Sequence, residues 1–331
     1  MTAHAALGLA AVALFEASCV NAHPDRTTQT TSAAAIAPAP PAGSAALAAS
    51  SMGSPGSPPH ALREATFHYP TGPLGPEDVV VVSPVATNGE RFPVLVAFHG
   101  RGESLKGPAR GARGWVDDYG LFGAVKRLQA PPLTDDDLQG FVTADRLAEM
   151  NRGLGKNPYR GLIVVCPYLP DLLHGATAFE DGPRFAEFIV EEVLPRVYKE
   201  TPAIGTPATT GVDGVSLGGR AALAVGLSRP EAFGVVAAMQ PAIDLDEVPP
   251  FADLAKKARA KSTAFRLRLL TSNGDYFLES TSALSQALVD RGLVHRFDVV
   301  TGPHSYEFNR GPGVMEMLLF HDRALRGVEV P

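Results

Sequence analysis

Short apolar runs rich in β-branched residues recur along this chain and alternate with helical patterns, and no other feature restricts the fold as much. The runs are DVVVVSPV (78–85), FPVLVAFHG (92–100), GLIVVCPY (161–168), TTGVDGVS (209–216), FGVVAAMQ (233–240), FRLRLLTS (265–272) and VHRFDVVTG (294–302). Helical patterns cover 183–199, 217–228, 251–260, 280–291 and 313–326. The middle runs stay apolar at consecutive positions. Alternate side chains of a strand point to opposite faces, so both faces of these strands must be covered. Strands buried in that way pair in parallel, and parallel neighbours need a crossover, which the helices supply. The expectation is an α/β fold: a mostly parallel central sheet with helices on both faces, joined by right-handed crossovers. The chain shows no internal repeat, and its 331 residues suit one large open sheet.

One connection breaks the rhythm. Residues 101–160 separate the FHG strand from the LIVV strand and contain Trp115, DDYGLFGAVKRL and APPLTDDDLQGFVTADRLAEMNRGL. A segment of that length carries helices of its own or a function. A lid over a pocket and a set of surface helices with no role at a site are both open readings.

The N-terminus differs from the rest. AALGLAAVALF (5–15) is too short to span a bilayer, and EASC follows, ending at Cys19. A short apolar run followed by small residues resembles a secretory signal peptide. It also resembles a bacterial lipoprotein signal, which would acylate Cys19 and tether the chain to a membrane. No Lys or Arg precedes the run, and Glu16 stands where a lipoprotein signal prefers Leu. Residues 20–61 are mostly Ala, Pro, Ser, Thr and Gly, a composition that cannot bury enough apolar area to offset its ordering entropy. The expected organisation is a signal peptide (1–19), a linker (20–61) and one domain (62–331) with an insertion at 101–160. The expected location is exported, periplasmic or extracellular.

The net charge of -6 gives no electrostatic footprint for nucleic acid. Basic clusters suited to an anionic membrane surface are also missing. Of the two cysteines, Cys166 lies within an apolar run and reads as a buried thiol. TDDDLQG (134–140) lacks the spacing of a calcium loop and reads as a helix N-terminus. GPARGARG lacks the Lys-Ser/Thr of a P-loop, and no Cys or His cluster has zinc spacing. Neither a metal nor a cofactor is implied.

The residues that carry chemistry centre on Ser216. It sits between Gly214 and Gly218, with a strand pattern before it and an Ala-rich helical pattern after it. A nucleophilic serine needs its hydroxyl held at the apex of a sharp strand-to-helix turn. Residues two before and two after then approach too closely for a Cβ, which glycine lacks. The alternative is a plain turn serine capping a helix.

A base for Ser216 should stand on the same sheet edge, where loops after parallel strands gather. His4 and His23 fall in the leader and at its edge, His60 and His68 in or near the linker, His295 at a strand start and His321 in the last helix. His99 braces the loop after its own strand. His174 lies in a crossover loop open to that edge, and His304, in TGPHSYEF, follows the last strand directly, which makes His304 the candidate base. The orienting acid is Asp275 in LLTSNGDYF, with Asp244 and Asp246 after the preceding strand as rivals. Any of the three can instead serve as a local turn carboxylate. Backbone donors for an oxyanion are expected from Leu217, next to the nucleophile, and from Arg101 or Gly102 in HGRGES.

The segments FHGRGES, GVSLGG, SNGD and GPHSYEF, in this order and spacing, resemble the α/β-hydrolase superfamily. The helix FAEFIVEEVLPRVYKE ahead of the serine strand is similar to that of the esterase D and enterochelin-esterase branch, which includes feruloyl esterases and mycolyltransferases. The resemblance spans residues 64–326. It implies an α/β-hydrolase fold and a serine hydrolase that cleaves a small-molecule or polymer-linked carboxylic ester through an acyl-enzyme. The chain departs from the pattern in the long insertion after the third strand and in Arg101, which leaves substrate and acyl acceptor open. Acyl transfer, peptide hydrolysis and a non-catalytic envelope binding role on the same scaffold are the rival functions.

Overall fold

A computed structural model describes residues 60–171 and 177–328. The leader with Cys19, the linker as far as residue 59, His174 and the last three residues lie outside the described residues.

Eight strands form one sheet: β1 (Leu62–Gly72), β2 (Gly75–Pro84), β3 (Val94–Phe98), β4 (Ile163–Pro167), β5 (Thr210–Gly214), β6 (Val235–Met239), β7 (Arg266–Gly274) and β8 (Arg296–Pro303). Their order is β1-β2-β4-β3-β5-β6-β7-β8. The β1–β2 and β2–β4 pairs are antiparallel, and every pairing from β4 to β8 is parallel. All seven strands read from the sequence are present. The sequence reading missed β1, which pairs with β2 along most of its length. Only Phe67 of β1 is fully buried, so the strand leaves little trace in the hydrophobic pattern.

The helices of the insertion are α1 (Arg101–Ser104), α2 (Pro108–Gly111), α3 (Leu121–Leu128) and α4 (Ala144–Lys156). After it come α5 (Thr177–Phe188), α6 (Leu194–Glu200), α7 (Leu217–Ser228), α8 (Val248–Lys261), α9 (Leu278–Asp290), α10 (Tyr306–Phe308) and α11 (Val314–Ala324). The helix expected from Pro183 begins earlier, at Thr177, and Pro183 lies inside it. Proline favours a first helical turn, which drew the expected boundary there. A π-type turn at 189–193 carries the chain into α6.

The two faces of the sheet build two cores, and strand alternation sorts the residues between them. Val79, Val81, Val94, Val96 and Phe98 face α5 to α9, with Phe185, Ile189 and Phe251. Val80, Val82, Leu95 and Ala97 face the insertion and α11, with Trp115, Leu121, Leu128, Met150 and Leu318. Each such side chain contributes about 1.5–3 kcal/mol by leaving water. Trp115 is fully buried, so the insertion supplies one of the two layers that cover the sheet. Within it, TDDDLQG forms a short helical turn, and the Asp137 carboxylate accepts from Thr134 and from Arg127. Cys166 is buried in β4, where burial pushes its thiol pKa up.

Candidate active site

Ser216 occupies the two-residue turn between β5 and α7, with φ 58° and ψ −119°. A non-glycine residue avoids that region because its Cβ crowds the backbone, at a cost of about 1–3 kcal/mol. Neighbouring strands hold the turn in place. Val215 N–H donates to Phe98 O at 3.2 Å, Ser216 N–H to Met239 O at 3.0 Å, and Ala242 N–H to Ser216 O at 3.0 Å. The flanking glycines are required for space. A Cβ on Gly214 would stand 2.3 Å from Gly218 O, and one on Gly218 would stand 2.3 Å from Phe98 O. Leu217 is the first residue of α7, where backbone N–H groups have no partner inside the helix.

Asp275 and His304 meet because β7 and β8 end side by side. Gly274 is paired with Pro303, so the next residue of each strand lies on the same edge. Asp275 Oδ1 accepts from His304 Nδ1 at 2.7 Å and from Phe277 N–H at 3.1 Å. Asp275 Oδ2 accepts from Thr271 Oγ1 at 2.6 Å. All three partners donate, which suits an ionised carboxylate with acceptors only. The Asp275 side chain has no exposed surface, and that of His304 is 18% exposed. With its Nδ1 proton directed at Asp275, the imidazole presents Nε2 as the acceptor. The rings of Tyr276 and Phe277 lie 5.6 and 5.5 Å from that of His304.

The rival acids do other work. Asp244 caps the turn 245–247 in a reciprocal pair with Glu247, and Asp246 is exposed. Glu247 also receives Arg220, which anchors this loop to α7. His321 is buried away from the site and bonds Asp213 Oδ2 at 3.0 Å. His295 bonds Ser285 Oγ at 2.8 Å.

On the other side of Ser216 lies the turn after β3. His99 is buried, and Leu169 N–H donates to its Nε2 at 2.9 Å. The ring proton is therefore on Nδ1, which donates to Gly100 O at 2.9 Å. Burial pulls the His99 pKa down to about 4, so the ring stays neutral. In a trans peptide the N–H points opposite the C=O. By holding Gly100 O, His99 thus aims the Arg101 N–H of the same peptide unit. Gly100 lies against the nucleophile turn: a Cβ there would be 3.8 Å from the Ser216 Cβ. The Arg101 side chain turns to Asp171, its Nε donating at 3.0 Å. Gly102 sits under the Tyr306 hydroxyl, which would be 2.3 Å from an added Cβ.

Sequence reasoning missed Thr271, Glu103, Tyr119, Tyr306 and Gln240. Gln240 has φ 44°, and its Nε2 donates to Ser272 Oγ at 2.7 Å and to Pro303 O at 3.1 Å. Its position directly after a strand on the same edge as Ser216 was the available signal.

Residues 173–309 match the model of the Esterase family, described as "Putative esterase". No curated protein sequence matches the chain. A solved ferulic acid esterase is 17% identical with a TM-score of 0.58, and the match covers 80% of this chain and 99% of that one. The S-formylglutathione hydrolase FrmB of Staphylococcus aureus is 13% identical with a TM-score of 0.56, covering 80% and 97% of the two chains. The enterobactin esterase FES of Shigella flexneri is 18% identical with a TM-score of 0.52, covering 79% of this chain and 58% of its own. At those identities the likeness establishes the fold. The strand order and the serine turn give the chain an α/β-hydrolase fold like that of these solved esterases, and residues 173–309 resemble the Esterase family.

Proposed function

We propose that Ser216, His304 and Asp275 form a catalytic triad that hydrolyses a carboxylic ester through an acyl-enzyme. The observation that carries this is the 2.7 Å bond between His304 and Asp275 on the sheet edge where the strained Ser216 turn also ends. His304 Nε2 takes the Ser216 proton as Oγ attacks the ester carbonyl, and then gives it to the leaving alcohol. Asp275 holds the tautomer and stabilises the imidazolium. The N–H groups of Leu217 and Arg101 receive the oxyanion, with Gly102 letting the turn pack closely. Water then repeats the sequence on the acyl-enzyme and releases the acid.

The structural neighbours include enzymes named for ferulate and enterobactin esters, which supports a small-molecule or polymer-linked ester as substrate. The N-terminal run and Cys19 support export, with Cys19 as a membrane tether. Ser216→Ala tests the reading. It should abolish turnover of p-nitrophenyl acetate and labelling by a fluorophosphonate while leaving the melting transition cooperative. Turnover that persists in Ser216→Ala excludes Ser216 as the nucleophile.

A further inference from the structure

We propose that Glu103, held between the hydroxyls of Tyr119 and Tyr306, is a positioning residue that locks the turn beside Ser216 to the loop carrying His304. This inference rests on the triad reading above and adds a residue which that reading does not use.

Glu103 is fully buried although it carries a carboxylate. A buried carboxylate persists only where donors replace its water. Tyr119 Oη donates to Glu103 Oε2, and Tyr306 Oη donates to Oε1 at 2.7 Å. Lys106 Nζ adds a third contact at 3.4 Å and bonds Asp118 at 2.7 Å. Burial, and then the carboxylate itself, push both phenol pKa values up, so both hydroxyls keep the protons they donate.

The geometry gives this cluster two ends. At one end, Tyr119 Oη accepts from Gly100 N–H at 3.1 Å. Gly100 O is held by His99, so the peptide units on both sides of Gly100 are fixed, including the one that presents Arg101 N–H. At the other end, Tyr306 stands two residues after His304, and Ser305 caps the turn that carries it. The only covalent route between these ends passes through most of the domain. Glu103 joins them directly, so the donor turn and the imidazole keep one mutual position. Gly102 belongs to the same arrangement, because any side chain there would displace the Tyr306 hydroxyl.

The test uses the full chain, p-nitrophenyl acetate turnover and a trifluoromethyl ketone, which forms a hemiketal oxyanion on the nucleophile. Tyr306→Phe removes one bond to Glu103 and keeps the ring. Each of Tyr306→Phe and Gly102→Ala should lower kcat about tenfold, the scale of one buried hydrogen bond to a charged group, with KM within about twofold. The ketone inhibition constant should rise by the same factor. Glu103→Gln, which leaves one phenol without an acceptor, should lose at least as much. The double variant Tyr306→Phe/Gly102→Ala should be no worse than either single variant, because both remove the same bond. With the hydroxyl gone, the next ring atom lies 3.4 Å from the added methyl, so the methyl fits. Full end-point fluorophosphonate labelling of Ser216 throughout shows that the triad is intact and only the positioning is lost. A Tyr306→Phe enzyme with wild-type kcat and ketone affinity overturns the proposal, as do losses that multiply in the double variant. A wild-type chain that the fluorophosphonate leaves unlabelled overturns the triad reading, and this inference with it.

Discussion

Replacing Asp275 by asparagine separates the charge of the acid from its geometry. Asparagine presents one carbonyl oxygen and one NH2 where the carboxylate presents two oxygens. Three donors surround the present carboxylate: His304 and Phe277 at Oδ1 and Thr271 at Oδ2. An NH2 at the Oδ1 position would face two fixed N–H groups, while at the Oδ2 position it faces a hydroxyl that can turn and accept. The Thr271 hydroxyl therefore selects the orientation that keeps oxygen against His304 Nδ1. The tautomer survives, and what is lost is the attraction between a carboxylate and the imidazolium formed in the transition state. Two unit charges about 4 Å apart at an effective dielectric constant of about 20 attract by roughly 4 kcal/mol. That corresponds to a fall in kcat of about 10³. The assay is p-nitrophenyl acetate turnover, read against Ser216→Ala as the background. Adding Thr271→Val removes the group that selects the orientation and should lower the rate further. An Asp275→Asn enzyme within tenfold of wild type would refute the electrostatic role of Asp275.

Two further perturbations test the fold around the site. Ser216→Gly relieves the positive φ that Ser216→Ala retains, so the glycine variant should melt a few degrees above the alanine variant after the entropic cost of glycine is deducted. A glycine variant that melts lower would show that the turn is unstrained. Glu77 is 1% exposed, neither carboxyl oxygen has a partner among the described residues, and burial, with some repulsion from Asp78, pushes its pKa from 4.5 up to about 8. The folded chain keeps that proton through a range in which the unfolded chain has lost it. Native stability therefore falls as pH rises from 4.5 to about 8 and is level above that. Glu77→Gln should match wild type near pH 5 and melt higher near pH 8, and parallel melting curves across that range would refute the assignment.

The features legible in the sequence are those that sterics or topology impose on residue type. Gly214 and Gly218 are forced by backbone atoms 2.3 Å from where a Cβ would be, so the serine turn writes itself into the chain as G-x-S-x-G. Asp275 and His304 are legible because loops that follow parallel strands share an edge, whatever the strand order. The order itself leaves no periodic signal, and the sequence left it open. Glu103 was illegible for a different reason. Its partners lie 16 and 203 residues away, and a glutamate in a short turn looks solvated until two tyrosines enclose it. The antiparallel edge was illegible because β1 is half exposed along most of its length.

The strand order also sets a problem that these illegible residues solve. Ser216 follows β5 and His304 follows β8, three strands away. At about 4.8 Å per strand the two strand ends are roughly 14 Å apart, more than an imidazole side chain reaches. For the proposed triad to close, the end of β8 has to lean back across the sheet. The register shifts between Ser272 and Gly274, where β7 and β8 come to their ends, and Gly302 adopts φ 139°. Gln240, at the end of β6, reaches past β7 to bond Pro303 O, the residue before His304, and takes Ser272 Oγ on the way. From the other side, Tyr306 ties the same loop to Glu103 beyond β3. The imidazole is thus placed by contacts that cross the sheet in both directions. The proposed triad, spread over three strand ends, needs such contacts as much as it needs its three reactive side chains.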